Sequence, residues 1–401
     1  MHPITDDMKT TFEGVSRLVM LDRYTYKDTE KKTLGVGDLV ILTVKPDPKF
    51  PARGIGEVVR IRDGKVTVAL ENEYQAIAGS YSITVPLEAV EKPLEVFYEQ
   101  IAARVARGLS EVEEGHVKQT EAFEDFYEEL ASHNFVPAGR VLYGAGSETD
   151  VTFFNCYVMP FPKDSREGIA EHRGEVMEIM SRGGGVGTNG STLRPRNALA
   201  RGVNGKSSGA VSWLNDIAQL THLVEQGGSR RGAQMIMLAD WHPDIIEFII
   251  SKMQNPNILR HIINTTEDEQ IKRLAQEKLK FEPFSETERA MYDNYVAHGD
   301  DKYKVLEAYQ ALEDGGRYSV NNPDFLTGAN ISVAITREFM EAVENDTEYE
   351  LRFPDVENYD KADMRFYNAR WHEVGDVREW EKMLFGVKTY RTIKARELWN
   401  L

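Results

Sequence analysis

Cysteine is almost missing from this chain: Cys156 is the only one in 401 residues, so no disulfide can close within it. A lone thiol is commonest as a small buried hydrophobe, and residue type alone does not separate that role from a reactive one. Long apolar runs are missing too. Nowhere do about 18 apolar residues follow one another, and the opening MHPITDDMKTTFEG is acidic and polar where a signal peptide is basic and then apolar. The expectation is a soluble, cytoplasmic chain with no membrane partner. Positive charge is the third shortage. With 48 Lys and Arg against 65 Asp and Glu, the net charge is −17, which speaks against a nucleic-acid partner, because a grip on phosphates needs concentrated cations. The nine histidines have no ligand spacing such as H-E-x-x-H, and with a single cysteine no metal site is expected.

What is present divides into segments. After an N-terminal stretch at 1–33, residues 34–92 carry short β-rich runs (Leu39 to Val44, Ile55 to Ile61, Lys65 to Leu70, Tyr81 to Val85) separated by Gly, Pro and Asp turns, the spacing of a small SH3-like β-barrel. From Pro93 to 134 apolar residues recur at helical steps: Leu94, Ile101, Val105 and Leu109, then Phe123, Phe126, Tyr127 and Leu130. Residues 135–401 alternate glycine-rich loops with amphipathic helices and apolar strands (Phe153 to Met159, Gln234 to Ala239, Asn330 to Ile335), an α/β rhythm. A charged stretch at 266–322 reads as inserted, solvated helices, and the last residues, 394–401, read as a helix still in progress.

Three glycine-rich loops are the candidate anion sites: Gly183 to Gly190, Arg201 to Gly209, and Gln226 to Gly232. Such loops let backbone N–H groups approach a phosphate closely next to a helix end. Gly205-Lys206-Ser207 imitates the end of a P-loop, but the leading glycine of that motif would fall on Ala200 and no strand precedes it, so a P-loop is rejected. Lys206 fits a solvated loop lysine as well as an anion ligand. Arg230 and Arg231 are adjacent and their side chains diverge, so one can stay solvated while the other reaches a phosphate or carboxylate. His242-Pro243-Asp244 reads as the ordinary start of a helix.

The order of these motifs resembles the ribonucleotide reductases of the adenosylcobalamin-dependent class II. The run Val136 to Gly146 (VPAGRVLYGAG) with Asn155-Cys156-Tyr157-Val158 is similar to the start of their catalytic barrel. GGGVGTNGSTLRP at 183–195, GKSSGAVS at 205–212, QGGSRRGAQ at 226–234, HPDIIEF at 242–248 and Asn330 to Val343 follow in the family's order. The resemblance implies a ten-stranded α/β barrel of which this chain supplies the first half, five strands. It implies that Cys156 is a redox-active thiol, with Ala138, Gly139, Asn155, Gly184 and Gly185 around the substrate. It places a deoxynucleoside triphosphate or ATP effector at Asp164, Ser165, Arg194, Arg196 and Lys206, and a specificity loop at Gln226, Gly227, Gly228, Ser229, Arg230 and Arg231. It implies a homodimer through helices 166–182 and 208–225.

The departures carry as much. No ATP-cone precedes the match. The finger-loop segment that bears the radical cysteine in the family, the partner of Cys156 and the C-terminal relay cysteines have no counterpart here. The expectation is therefore a split or truncated reductase: a second polypeptide completes the barrel, shares the adenosylcobalamin and brings the thioredoxin-like reductant, and the lone chain is inactive or insoluble. A fragment of a class I large subunit and a non-catalytic regulatory protein that binds deoxynucleoside triphosphates remain alternatives. The second of these would be soluble and ligand-competent alone.

Overall fold

The computed structural model describes all residues except 1–2, 11, 48–49, 201–204 and 225–231. It comprises two compact units, 1–155 and 156–401.

In the first unit, α1 (Gly14–Arg23) precedes five strands: β1 (Leu39–Lys45), β2 (Ala52–Arg62), β3 (Lys65–Leu70), β4 (Ser82–Pro86) and β5 (Val90–Glu91), with α2 (Asn72–Ala78) between β3 and β4. All neighbours are antiparallel and the order is β4-β3-β2-β1-β5. The return of β5 beside β1 across a 3₁₀ turn at Leu87–Ala89, with a long bulged β2, is the topology of an SH3-like barrel. The turn at Asp63-Gly64 puts both residues at positive φ, as a two-residue hairpin requires. Val40, Ile41, Leu42, Ile55, Val66 and Val68 fill its interior.

Helices α3 (Tyr98–Ser110), α4 (His116–Ala131) and α5 (Gly139–Gly144) complete this unit. Arg104 on α3 is their fastener. Buried with Glu95, it holds that carboxylate at 2.8 and 3.0 Å and donates to the carbonyls of Tyr24, Leu142 and Ala145. A buried guanidinium is tolerable only when its donors are satisfied in this way.

The second unit runs β6 (Cys156–Val158), α6 (Arg166–Ser181), β7 (Gly185–Asn189), a short ladder of β8 (Leu199–Ala200) with β9 (Gly205–Lys206), α7 (Ala210–Leu223), β10 (Gln234–Ala239) and α8 (Ile245–Ser251). Next come α9 (Pro256–Thr265), α10 (Glu269–Lys278), β11 (Leu279–Pro283), α11 (Glu286–His298), α12 (Lys302–Asp314) and β12 (Gly316–Val320). The chain described ends with β13 (Asn330–Ala334), α13 (Arg337–Asn345), β14 (Glu348–Pro354), α14 (Lys361–Val374), α15 (Val377–Lys382), β15 (Val387–Lys394) and α16 (Ala395–Asn400).

Strands β6, β7, β10 and β13 form one sheet in sequence order, every pair parallel. Sequential order in a parallel sheet with helical crossovers is the winding of an α/β barrel, and here the sheet is open at β6 and β13. The resemblance implies five such strands, whereas four pair here among the described residues: β14 turns back to pair antiparallel with β15. The charged stretch also folds more firmly than its composition predicts. β11 and β12 pair antiparallel around α11 and α12, and Ile271 and Ala275 of α10 are buried. The core of this unit stacks Trp241, Phe353, Tyr367, Trp371 and Trp380; the Trp371 indole N–H donates to Thr192 O at 2.8 Å, so the ring can be fully buried.

Candidate functional site

Parallel pairing fixes which side chains share a face, because successive residues alternate. Cys156 lies opposite Gly185 and Val158 opposite Gly187; Gly187 lies opposite Met235, Asn189 opposite Met237; Met235 and Met237 lie opposite Asn330 and Ser332. The other face, with Val186, Thr188, Gln234, Ile236 and Leu238, is buried against helices, and Gln234 Nε2 ties β10 to α7 through Ile217 O at 2.9 Å. The first face is open: Cys156 is exposed, Val158 is 88% exposed and Met235 42%. It carries no charged side chain. In a closed barrel this face is the interior.

Cys156 is thus not the buried hydrophobe its residue type allowed, but a thiol on the open face. Beside it, Gly185 and Gly187 contribute no side chain, and a Cβ added at Gly187 meets nothing nearer than 3.7 Å. Gly184 has a different role. Its added Cβ would lie 2.5 Å from Ile179 and 2.9 Å from the Tyr157 ring, so the glycine lets α6 sit down on β6 and β7. Of the remaining substrate residues, Ala138 caps α5, Gly139 starts it with the Tyr24 ring 2.8 Å from its added Cβ, and Asn155 is exposed immediately before Cys156. Asn189, Met235, Asn330 and Ser332 share the open face; Asn189, Asn330 and Ser332 fall inside the quoted motifs but carried no site assignment, and the alternation of β10, with Gln234, Ile236 and Leu238 turned to the helices, is the signal that could have found Met235.

The effector residues fall at the edge of α6 and α7. Ser165 caps α6, its Oγ accepting Gly168 N–H at 3.0 Å. Asp164 is nearly buried and accepts from Arg194 N at 3.0 Å, Arg194 Nε at 2.8 Å and Tyr367 OH at 2.7 Å. The Arg194 guanidinium also donates to Leu199 O at 2.9 Å. Arg196 pairs with Glu247 of α8 at 2.8 and 2.5 Å, and Lys206 is exposed at the end of the β8–β9 ladder. The specificity-loop residues Gln226, Gly227, Gly228, Ser229, Arg230 and Arg231 lie outside the described residues.

The His242-Pro243-Asp244 turn departs from its reading as a simple helix start. Asp244 stands before α8 yet makes no side-chain cap to it; its carboxylate instead accepts Arg196 N at 3.0 and 3.1 Å and Ala210 N, the first residue of α7, at 2.9 Å. Burial raises Asp244 to about 6 against the pull of these donors. His242 is fully buried, which pushes it down to about 4, and the neutral ring is oriented at both ends: Nδ1 accepts Asp244 N–H at 3.1 Å and Nε2 donates to Leu193 O at 2.8 Å. It has no access to a substrate. A cavity of about 540 Å³ opens beside this turn, lined by Arg196, Arg273 and Arg391 together with Asp244, Glu247 and Glu277, so its charges balance. Among the described residues no group of His, Cys, Asp and Glu is arranged to hold a metal ion, and no helix is long and apolar enough to cross a membrane.

The sequence profile of the ribonucleotide reductase barrel domain matches residues 154–401, more than half of the chain. The chain belongs to that family. The profile of the reductase all-alpha domain matches residues 87–150, the region of α3 to α5. Among curated relatives, the vitamin B12-dependent ribonucleoside-diphosphate reductase of Thermoplasma acidophilum is 36% identical over 146 residues, 36% of this chain and 19% of the relative. That of Mycobacterium tuberculosis is 34% identical over 132 residues, 33% of this chain and 19% of the relative. The ribonucleoside-diphosphate reductase large chain of Cryptosporidium parvum is 29% identical over 177 residues, 44% of this chain and 20% of the relative. The matched stretches thus span about a fifth of these relatives' lengths.

Proposed function

We propose that the chain is a component of an adenosylcobalamin-dependent ribonucleotide reductase, in which Cys156 supplies electrons for reduction of the ribose. The observation that carries this reading is the open, uncharged sheet face with an exposed thiol in register with Gly185, in a member of the reductase barrel family. In the reaction the ribose 2′ C–O bond breaks, the oxygen leaves as water, and two thiols become a disulfide, giving up two electrons and two protons. Cys156 is one of these thiols. The other, and the radical cysteine, belong to the segment that completes the barrel, which the reading assigns to a second polypeptide covering the open face and the free edges of β6 and β13. Reduction of the disulfide by a thioredoxin-like protein then runs through that polypeptide.

Where adenosylcobalamin would be apposed to this chain, the apolar side chains of Val158, Met235 and Met237 on the open face would supply the surface. When bound, the cofactor supplies the unpaired electron that starts the reaction. The residues of this chain do the rest: the glycines leave room for the nucleotide, Asn155 and Asn189 offer hydrogen bonds, and the methionines exclude water. On the resemblance Ala138 and Gly139 also belong to the substrate's surroundings, whereas Gly184, likewise expected there, packs against Ile179 and Tyr157 on the helix side.

The effector reading places a deoxynucleoside triphosphate or ATP at Asp164, Ser165, Arg194, Arg196 and Lys206, supported by the exposed Lys206 ammonium and the N-terminus of α6 at Ser165; the Arg194 and Arg196 guanidiniums are already paired, with Asp164 and Glu247. The specificity loop Gln226 to Arg231 would carry its message to the substrate. The homodimer uses α6 and α7, supported by the exposed small and apolar stripe Ala170, Gly174 and Met177 on α6 and by the Arg173–Asp216 bridge of 2.9 Å that joins the two helices. Co-expression with the barrel-completing polypeptide, purification by a tag on this chain and assay of deoxynucleotide formation with adenosylcobalamin test the reading. Activity abolished in Cys156→Ser is expected. A chain that stays monodisperse alone, binds a deoxynucleoside triphosphate and ignores the completing polypeptide would instead be the regulatory protein.

A further inference from the structure

We propose that Asp244 is a positioning residue that locks the Arg194–Ala200 segment to the N-terminus of α7, so that the effector segment and the helix layer move as one piece. Three elements meet at its carboxylate. Arg196 N reaches both oxygens, at 3.0 and 3.1 Å, and Ala210 N reaches Oδ2 at 2.9 Å. Helix α7 has a glycine at its N-cap, Gly209, with φ +92° and no side chain to cap the orphan amides; the Ala210 amide is instead met by Asp244, 34 residues beyond Ala210.

The fit leaves no slack. A Cβ at Gly209 would lie 2.8 Å from Asp244 Oδ2 and 2.9 Å from Arg196 Cβ. The carboxylate is itself held: the backbone of Asp244 donates to His242 Nδ1, and the opposite side of that ring grips Leu193 O, the residue before the segment. The Arg196 side chain closes the triangle, reaching Glu247 of α8 and Ser212 Oγ of α7 at 3.3 Å. Displacement of the segment by a ligand therefore strains the α7 cap, and displacement of α7 pulls the segment. Charge-assisted N–H···carboxylate bonds are the strong kind, and losing one leaves a buried donor unmet.

The effect on ligand response rests on the effector reading above; the lock itself does not. The test uses the full chain, with or without its completing polypeptide, and reads amide hydrogen exchange alongside equilibrium binding of dTTP. In Asp244→Ala, exchange at the amides of Arg196 and Ala210 is expected to rise at least about ten-fold and dTTP affinity to fall at least about ten-fold, as loss of one such bond implies. Exchange within β10 stays unchanged. Asp244→Asn keeps the shape but turns an N–H₂ toward N–H donors, so it shifts both readouts the same way even if the alanine variant folds poorly. Thr336→Ala, which removes the cap of α13 where Thr336 Oγ1 accepts Phe339 N–H at 3.1 Å, is a matched control that lowers stability without changing dTTP affinity. Unchanged exchange at the two amides overturns the lock. Raised exchange with unchanged dTTP affinity overturns its role in effector response. A wild-type chain that takes up no dTTP sinks the effector reading, and the exchange arm still decides the lock.

Discussion

At the residue scale, burial decides which of the polar motifs are structural. Asp164 faces Arg194 and Tyr367 in a nearly dry setting, and removing one member of such a cluster costs more than the cluster contributes, because the others stay buried without a partner. Asp164→Ala is expected to destabilise the second unit by about 3–5 kcal/mol, read by chemical denaturation; a loss under about 1 kcal/mol contradicts this account of the cluster. His242 and Asp244 give a pH signature. The imidazole falls from its usual 6.5 to about 4, so its contribution to stability is complete above pH 6.5 and is lost as pH falls toward 4. The carboxyl rises from 3.8 to about 6, so its contribution is complete below 3.8 and is lost as pH rises through 6. The two slopes oppose each other between pH 6 and 4. His242→Gln removes one of them, and the stability advantage of the wild type over that variant should shrink by about 3 kcal/mol between pH 7 and 4, at about 1.4 kcal/mol per unit. A constant advantage means that His242 is not held neutral.

At the element scale, two glycines three positions apart, Gly184 and Gly187, have opposite consequences. Gly184→Ala puts a methyl group against Ile179 and Tyr157, both in the α6–β6 packing, and should cost roughly 1–3 kcal/mol as overpacking. Gly187→Ala meets only Tyr157 O, at an ordinary contact distance of 3.7 Å, so it should fold like the wild type while reducing nucleotide turnover, since the methyl stands on the open face beside Val158 and Met235. Melting curves and initial rates on the completed enzyme separate the two; a Gly187→Ala enzyme with full activity contradicts the placement of substrate on this face. Much at this scale was legible in the sequence. β3 and β10 span the residues that the apolar patterns mark, Lys65–Leu70 and Gln234–Ala239, because a strand with one buried face writes its period into the sequence. β6 is shorter than the run Phe153 to Met159 predicts, since an apolar run does not say where pairing stops. The reach of Asp244 to α7 was invisible, because a cap borrowed from a distant element leaves no local spacing to read. The antiparallel pairing of β14 with β15, across α14 and α15, was hidden for the same reason: an alternating strand does not name its partner.

At the scale of the whole molecule, the parallel sheet of the second unit has one face sealed by helices and one face that is uncharged, glycine-floored and open among the described residues. Exposed strand edges and an uncharged face of this size favour association, which the proposed completing polypeptide satisfies. The family's winding order was legible from the colinear motifs; the face they build was not, because it depends on which residues pair across strands 29 to 95 positions apart, as with Cys156 opposite Gly185 and Met235 opposite Asn330. On the proposed function the thiol on this face gives up its electrons to the nucleotide. A single turnover tests this: the completed, pre-reduced enzyme is mixed with ribonucleotide and adenosylcobalamin without external reductant, and Cys156 is then probed by alkylation and mass spectrometry. The account predicts about one deoxynucleotide per active site, with Cys156 closed to alkylation in the same proportion and reopened by a dithiol. Deoxynucleotide formed while Cys156 remains fully alkylatable would contradict it.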